Sequence, residues 1–207
     1  MKLYSKHVLP GLVHFACSLK PAMAQREKVV PLAHGRVLEV GVGSGLNLPF
    51  YDAARVSKVW GLDPSPEMIR MAGNRARSTS IDVELIEMPG EDVPLENQSA
   101  DTIVMTYTLC TIADPVRVLR EMTRVLKPGG ELIFCEHGLA PDLSVRRWQN
   151  FFNPAWKQLG GGCHLNREIP QLIRYGGFKI TDLTSSYIPG WRPASYNYWG
   201  KADLPLP

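Results

Sequence analysis

Glu39, Gly41, Gly43, Gly45 and Asp63 carry the sharpest chemical signal in this chain of 207 residues. The run VLEVGVGSG at 37–45 joins a short apolar strand to three glycines at alternate positions. Glycine suits such a turn because the backbone must take unusual dihedrals and let a ligand come close. Glu39 lies in the otherwise apolar strand end, where a buried carboxylate is costly unless it meets a partner. Asp63 ends the next apolar run, eighteen positions beyond Gly45. A carboxylate there can accept both hydroxyls of an adenosine ribose, because ligands of open α/β sheets lie across the carboxyl ends of the strands. Capping the helix begun by Pro64-Ser65-Pro66 is a second role for Asp63, compatible with the first. The dinucleotide fingerprint wants its third glycine where this chain has Leu46, which argues against a nicotinamide cofactor and an oxidoreductase.

Elements that alternate strand with helix must hold these residues. Apolar runs at 37–40, 59–62, 83–86, 102–105 and 131–135 read as buried strands, the last introduced by the turn Lys127-Pro128-Gly129-Gly130. Helical spacing places Met68, Met71 and Ala72 on one face of 64–77. It likewise aligns Val118, Leu119, Met122, Val125 and Leu126 within 115–126, where Asp114 suits a cap and Pro115 a first turn. A further helix spans 168–175, and strand-like segments near 178–185 and 196–201 can pair antiparallel. The glycine turn is expected to lead into a helix. The fold class is α/β: a Rossmann-like three-layer sandwich with a mostly parallel seven-stranded sheet and an antiparallel C-terminal edge. One domain is expected over 1–207, with a helical cap (1–34), a cofactor-binding core (35–136) and a substrate-side segment with the last strands (137–207).

Composition narrows the function classes. A formal charge of +3, with Lys and Arg scattered apart from Arg146-Arg147, gives no grip for nucleic acid. The cysteines Cys17, Cys110, Cys135 and Cys163 show no Cys-x-x-Cys spacing, and His164 beside Cys163 lacks further ligands at suitable spacing, so no metal is expected. They read as reduced thiols of a cytoplasmic protein. The apolar run 8–19 contains Pro10, Gly11 and His14 and is too short to span a bilayer; a helix packed on its own domain is expected. Nothing in the sequence fixes an oligomeric state.

The motifs LEVGVGSG, GLDPSP, the strand containing Asp101, and RVLKPGG resemble the class I methyltransferases that use S-adenosylmethionine (SAM) and release S-adenosylhomocysteine, over residues 35–136. The resemblance implies that Glu39, Gly41, Gly43 and Gly45 line the amino-acid and sugar parts of SAM, and that Asp63 holds the ribose. Gly90 and Glu91 would lie at the adenine, although many members carry an acid where this chain has Pro89. Thr106, at the end of the fourth strand, would lie below the methionyl part; Asn47 and Pro64 complete the cofactor candidates. TLCTIAD at 108–114, FCEHG at 134–138, FNPAWKQLGGGCHLNRE at 152–168 and the final YNYWGKA resemble the methyltransferase-like 7 group and its bacterial relatives, some of which methylate alkyl thiols.

That resemblance implies a small, apolar acceptor, with thiol S-methylation favoured. Phospholipid N-methylation, quinone methylation and SAM binding without turnover stay open, since a cofactor motif reports binding and not catalysis. A sulfonium methyl is already activated, so the protein has to align the acceptor and exclude water. His137, just past the fifth strand, is the candidate catalytic residue, as base or positioner. Tyr4, Cys110, Trp156, His164, Asn166 and Arg167 are candidates for the substrate pocket. Tyr4, His7 and the apolar run behind them could close over the cofactor. The stretch 143–159 mixes Trp148, Phe151, Phe152 and Trp156 with Arg146, Arg147 and Lys157. It reads as a lid or connecting helix, broken near Pro154, or as a surface for peripheral membrane contact.

Overall fold

Alternation along the central strands divides the core into two layers, one on each face of the sheet. The computed structural model describes residue 4 and residues 8–205; His7 lies outside the described residues. In β1 (Gly35–Val40), Leu38 and Val40 point to one face and Val37 to the other. The first face meets Val118, Leu119 and Met122 of α4 (Pro115–Val125). The second meets Val29 and Val30 at the end of α2 (Lys20–Val29). Strands β2 (Val56–Asp63), β4 (Ala100–Thr106) and β5 (Leu126–His137) are buried in the same way, and β3 (Asp82–Glu87) lies outermost.

The sheet order is β3-β2-β1-β4-β5-β7-β6, and β1 to β5 run parallel. Strand β7 (Tyr196–Asp203) inserts antiparallel between β5 and β6 (Lys179–Tyr187), so the expected mostly parallel sheet with an antiparallel C-terminal edge is observed. Its Gly200 crosses the bulge at Asp182 so closely that a Cβ would sit 2.0 Å from the Asp182 carbonyl oxygen, and no other residue fits there. Helix α3 (Pro66–Ala76) starts with Ser65 Oγ accepting Met68 N–H, so Ser65 and not Asp63 is its cap. Helix α4 starts with Asp114 Oδ1 accepting Arg117 N–H, and both helices have proline in the first turn.

Several local expectations are corrected. No α-helix follows the glycine turn; residues 48–50 form one 3-10 turn, because Asn47 and Tyr51 fold back onto Glu39. Residues 127–130 bulge out within β5, where the pairing with β4 jumps from Ala100–Leu126 to Thr102–Glu131. Helix α5 (Leu143–Leu159) runs unbroken through Pro154. The apolar run 8–19 forms the single helix α1 (Leu9–Cys17), with α2 following it; α1 buries only Pro10 and leaves Leu12 and Phe15 exposed. Helix α6 (Ile169–Tyr175) covers the sheet beside α4. Among the described residues, no helix is long and apolar enough to cross a membrane.

Candidate cofactor and acceptor site

Backbone geometry makes the glycine turn a cradle. Gly41, Gly43 and Gly45 all have positive φ, a region costly for residues with a Cβ. A Cβ on Gly41 would meet Thr108 Oγ1 at 2.4 Å, whereas one on Gly43 would meet nothing nearer than 3.9 Å. The space over Gly43 is open. Beside it, Gly43 N–H donates to Asp63 Oδ2 (3.0 Å) and Ser65 N–H to Asp63 Oδ1 (2.8 Å). Each carboxylate oxygen keeps a lone pair for a ribose hydroxyl. Burial pushes the Asp63 carboxyl above its usual range, against the pull of those two amides. Pro64 next to it is exposed. Gly90 packs where a Cβ would touch Val40 and Val118, near the carboxyl end of β1, with half-buried Glu91 following. Cradle, carboxylate and edge fit a nucleoside carrying an amino-acid tail.

Glu39 is enclosed. Its Oε1 accepts from Asn47 Nδ2 (2.9 Å) and its Oε2 from Tyr51 Oη (2.8 Å). Asn47 Nδ2 also donates to Thr106 Oγ1 (3.0 Å). The Arg26 guanidinium, from α2, donates to Asn47 Oδ1 (2.7 Å) and to Thr106 Oγ1, and lies over the Tyr107 ring. Burial raises the Glu39 carboxyl to about 7, although Tyr51, Arg26 and Asn47 pull the other way. Glu39 therefore braces the loop under the cradle. Helix α1 lies across the same loop: His14 Nδ1 is 2.7 Å from Ser44 Oγ, and Leu9 occupies the space where Gly161 would carry a side chain.

A second constellation stands at the carboxyl ends of β4 and β5. Tyr107 has φ of 54°, rare for a bulky residue, and that turn aims the following amides at Glu136. Glu136 is buried and accepts N–H bonds from Thr108 (2.7 Å), Leu109 (2.9 Å) and Cys110 (3.3 Å). Burial raises its carboxyl and the three amides oppose that rise. Next to it, His137 Nε2 is 3.1 Å from Cys163 Sγ, and His137 Nδ1 is buried with no partner among the described residues. Cys110, His137 and Cys163 place one donor atom each within 4.8 Å of one another. The Cys163 thiol is pulled far below its usual range by the Cys110 thiol and the His137 charge, against its own burial. Cys110 is held in the opposite direction by the Cys163 sulfur and by its own burial. Burial lowers His137, but Cys163 outweighs it and the net shift is upward.

The structure gathers most of the acceptor candidates on this constellation. His164 N–H donates to the Cys110 carbonyl (2.8 Å), which ties the loop after α5 to the turn after β4. The Arg167 guanidinium donates to the Leu109 carbonyl in that same turn. Trp156 reaches the same place: a Cβ on Gly160 would lie 3.3 Å from Cys163 Cβ and 3.5 Å from the indole Nε1, which is buried with no partner among the described residues. Two candidates point elsewhere: Asn166 Nδ2 donates to Asn150 on α5 (2.8 Å), and Tyr4 Oη donates to the Leu159 carbonyl at the end of α5 (2.7 Å). Helix α5 is anchored through buried Gln149. Its Oε1 accepts from Ala140 N–H, and its amide donates to the Gly138, Leu165 and Pro193 carbonyls. Beyond Trp156 run Trp191, Phe152 and Trp148, with neighbouring ring centroids 5.2–5.6 Å apart.

Residues 38–134 match the family model of a methyltransferase domain. The thiol S-methyltransferase TMT1B of Homo sapiens is 36% identical over 177 residues, covering 82% of this chain and 72% of that protein. The chain belongs to the class I SAM-dependent methyltransferases. Another relative of this methyltransferase, the phosphatidylethanolamine N-methyltransferase of Cereibacter sphaeroides, is 38% identical over 105 residues, or 50% of this chain and 51% of that protein. A SAM-dependent methyltransferase from Methanosarcina mazei shares the fold with a TM-score of 0.65 at 23% identity, covering 83% of this chain and 93% of that one. SAM is therefore the cofactor of this methyltransferase.

Sequence reasoning missed Arg26, Tyr51, Gln149 and Glu136, and read Cys163 only as a reduced thiol. Glu136 carried a legible signal, since it is an acid in an apolar strand just as Glu39 is. Arg26 carried none, because α2 reads as a polar helix and its target lies on other elements. The expectation of no metal rested on spacing along the chain, which does not register that the fold brings Cys110, His137 and Cys163 together.

Proposed function

We propose that this methyltransferase transfers the SAM methyl group to the sulfur of a small apolar thiol. The His137–Cys163 contact at 3.1 Å, at the inner end of an aromatic wall, carries this reading. When bound, SAM supplies a methyl already activated by its sulfonium. Glu39, Asn47 and Thr106 hold the methionyl side of the cradle, Asp63 the ribose, and Gly90 with Glu91 the adenine edge. Trp156 and Trp191 receive the apolar body of the acceptor, and its sulfur loses its proton beside His137 and Cys163. A thiol must ionise to act as a nucleophile, and these groups stand where that would happen. Support also comes from the thiol S-methyltransferase relatives, which match most of the chain.

Helix α1 and the loop at 159–162 would act as the cap, closing the cofactor side through His14 and Leu9. The four cysteines are free, which favours a reducing compartment such as the cytoplasm. Phospholipid head-group methylation is a second reading, favoured by the exposed Trp148, Phe151 and Trp191 beside Arg147. That face would meet a lipid surface. One assay separates the two: S-adenosylhomocysteine release with SAM and either a small alkyl thiol or phosphatidylethanolamine vesicles. Turnover with the thiol alone supports the first reading. Turnover with vesicles alone refutes it.

A further inference from the structure

Three soft donors from three segments converge at the acceptor end of the site. Cys110 comes from the turn after β4, His137 ends β5, and Cys163 lies in the loop after α5. We propose that Cys110, His137 and Cys163 bind a zinc-class divalent cation whose fourth position accepts the substrate thiol. The proposal deepens the thiol reading and rests on it for the fourth ligand only.

The donor set suits such an ion. Zinc binds thiolate at about 2.3 Å and imidazole at about 2.0–2.1 Å in a tetrahedron, which spaces the donor atoms roughly 3.5–3.8 Å apart. Here the three donor atoms lie within 4.8 Å of one another, and the His137–Cys163 separation is 3.1 Å. Small side-chain rotations convert one arrangement into the other. Three protein ligands leave one position open, the pattern of a catalytic and not a structural site.

The surroundings add a second reason. His137 is 9% exposed, and its Nδ1 has no partner among the described residues. Among the described contacts its Nε2 meets only the Cys163 sulfur. A buried imidazole that makes no bond to oxygen or nitrogen is uncommon, because most buried polar groups are satisfied. Metal coordination at Nε2 would give it a defined role. Glu136, immediately before it, is tied down by the Thr108, Leu109 and Cys110 amides and fixes the turn that presents the Cys110 sulfur.

The chemistry balances without an oxidant. An incoming R–SH takes the fourth position and gives its proton to solvent, leaving a metal-bound thiolate. A sulfur lone pair then forms the new S–C bond as the methyl–sulfonium bond breaks, its electron pair staying on the departing sulfide. The neutral thioether is a weak ligand and leaves. Stabilising the thiolate at neutral pH is what a bound cation contributes.

The test uses the full-length, reduced protein, stripped by chelator and titrated with cobalt(II) alone. One equivalent should give a thiolate-to-cobalt charge-transfer band and the strong visible bands of tetrahedral cobalt, bleached by zinc. Cys110→Ser and Cys163→Ser should each lose at least tenfold in cobalt affinity, while Cys17→Ser should keep it. Should a serine variant misfold, zinc protection of Cys110 and Cys163 from alkylation, mapped by mass spectrometry on the wild type, replaces it. Failure to bind cobalt stoichiometrically, or bands that survive loss of both cysteines, overturns the site. Adding a small alkyl thiol to the cobalt protein should strengthen the charge-transfer band. An unchanged spectrum with a thiol that is still methylated overturns the fourth-ligand role and spares the thiol reading. A changed spectrum without methyl transfer supports the metal site and overturns the thiol reading.

Discussion

Replacing Glu39 by glutamine should flatten the pH dependence of stability in the ligand-free protein. Burial holds the folded carboxyl at about 7 against 4.5 in the unfolded chain, with Tyr51, Arg26 and Asn47 offsetting only part of the desolvation. Between those values the folded state binds more protons than the unfolded one. The stabilisation is complete below the unfolded value and is lost as pH rises through the folded one. The gap from 4.5 to about 7, at ~1.4 kcal/mol per unit, amounts to about 3 kcal/mol. Most of that falls between pH 5 and pH 8. Asp63 and Glu136 are raised by burial and contribute with the same sign, whereas Cys163 contributes with the opposite sign. Comparing wild type with Glu39→Gln removes these shared contributions. Urea unfolding near pH 5 and near pH 8 reads the difference directly, with wild type losing roughly 2–3 kcal/mol more than the variant. Parallel pH profiles for the two proteins would show that Glu39 is ionised at neutral pH in the folded state and refute the reasoning.

Other perturbations separate cradle from scaffold. Gly43→Ala meets open space but keeps a positive φ, so it should cost ~1–2 kcal/mol of stability while SAM affinity collapses; calorimetry showing wild-type affinity would remove Gly43 from the cradle. On the proposed ribose role, Asp63→Ala would give up two charge-assisted hydrogen bonds and should weaken SAM binding by about 100-fold. A change below about threefold in the same titration contradicts the ribose assignment. Gln149→Leu leaves the Ala140 amide and several carbonyls unsatisfied and should destabilise by about 3 kcal/mol in urea unfolding, a loss under about 1 kcal/mol being the contrary result. Trp156→Ala should raise KM for longer alkyl thiols at least tenfold with little effect on SAM binding; equal KM values across chain lengths would take Trp156 out of the pocket.

Features whose physics is local could be read along the chain. Short continuous apolar runs made the central strands legible, and glycine at three alternate positions announced a turn of unusual dihedrals. A carboxylate at the end of an apolar run marked both Glu39 and Asp63, and Asp114 before Pro115 marked a helix start. The order of the last two strands was not legible, because inserting β7 between β5 and β6 depends on Gly200 admitting the Asp182 carbonyl. The missing helix after the cradle was equally hidden, since Asn47 and Tyr51 turn toward a partner eight and twelve residues back. Packing of whole elements brought Arg26 from α2 onto Asn47 and Thr106. The same packing placed Cys110, His137 and Cys163, from three separate segments, around one point. Local preference is written along the chain; convergence of side chains distant in sequence is settled by how the elements pack, which no spacing encodes.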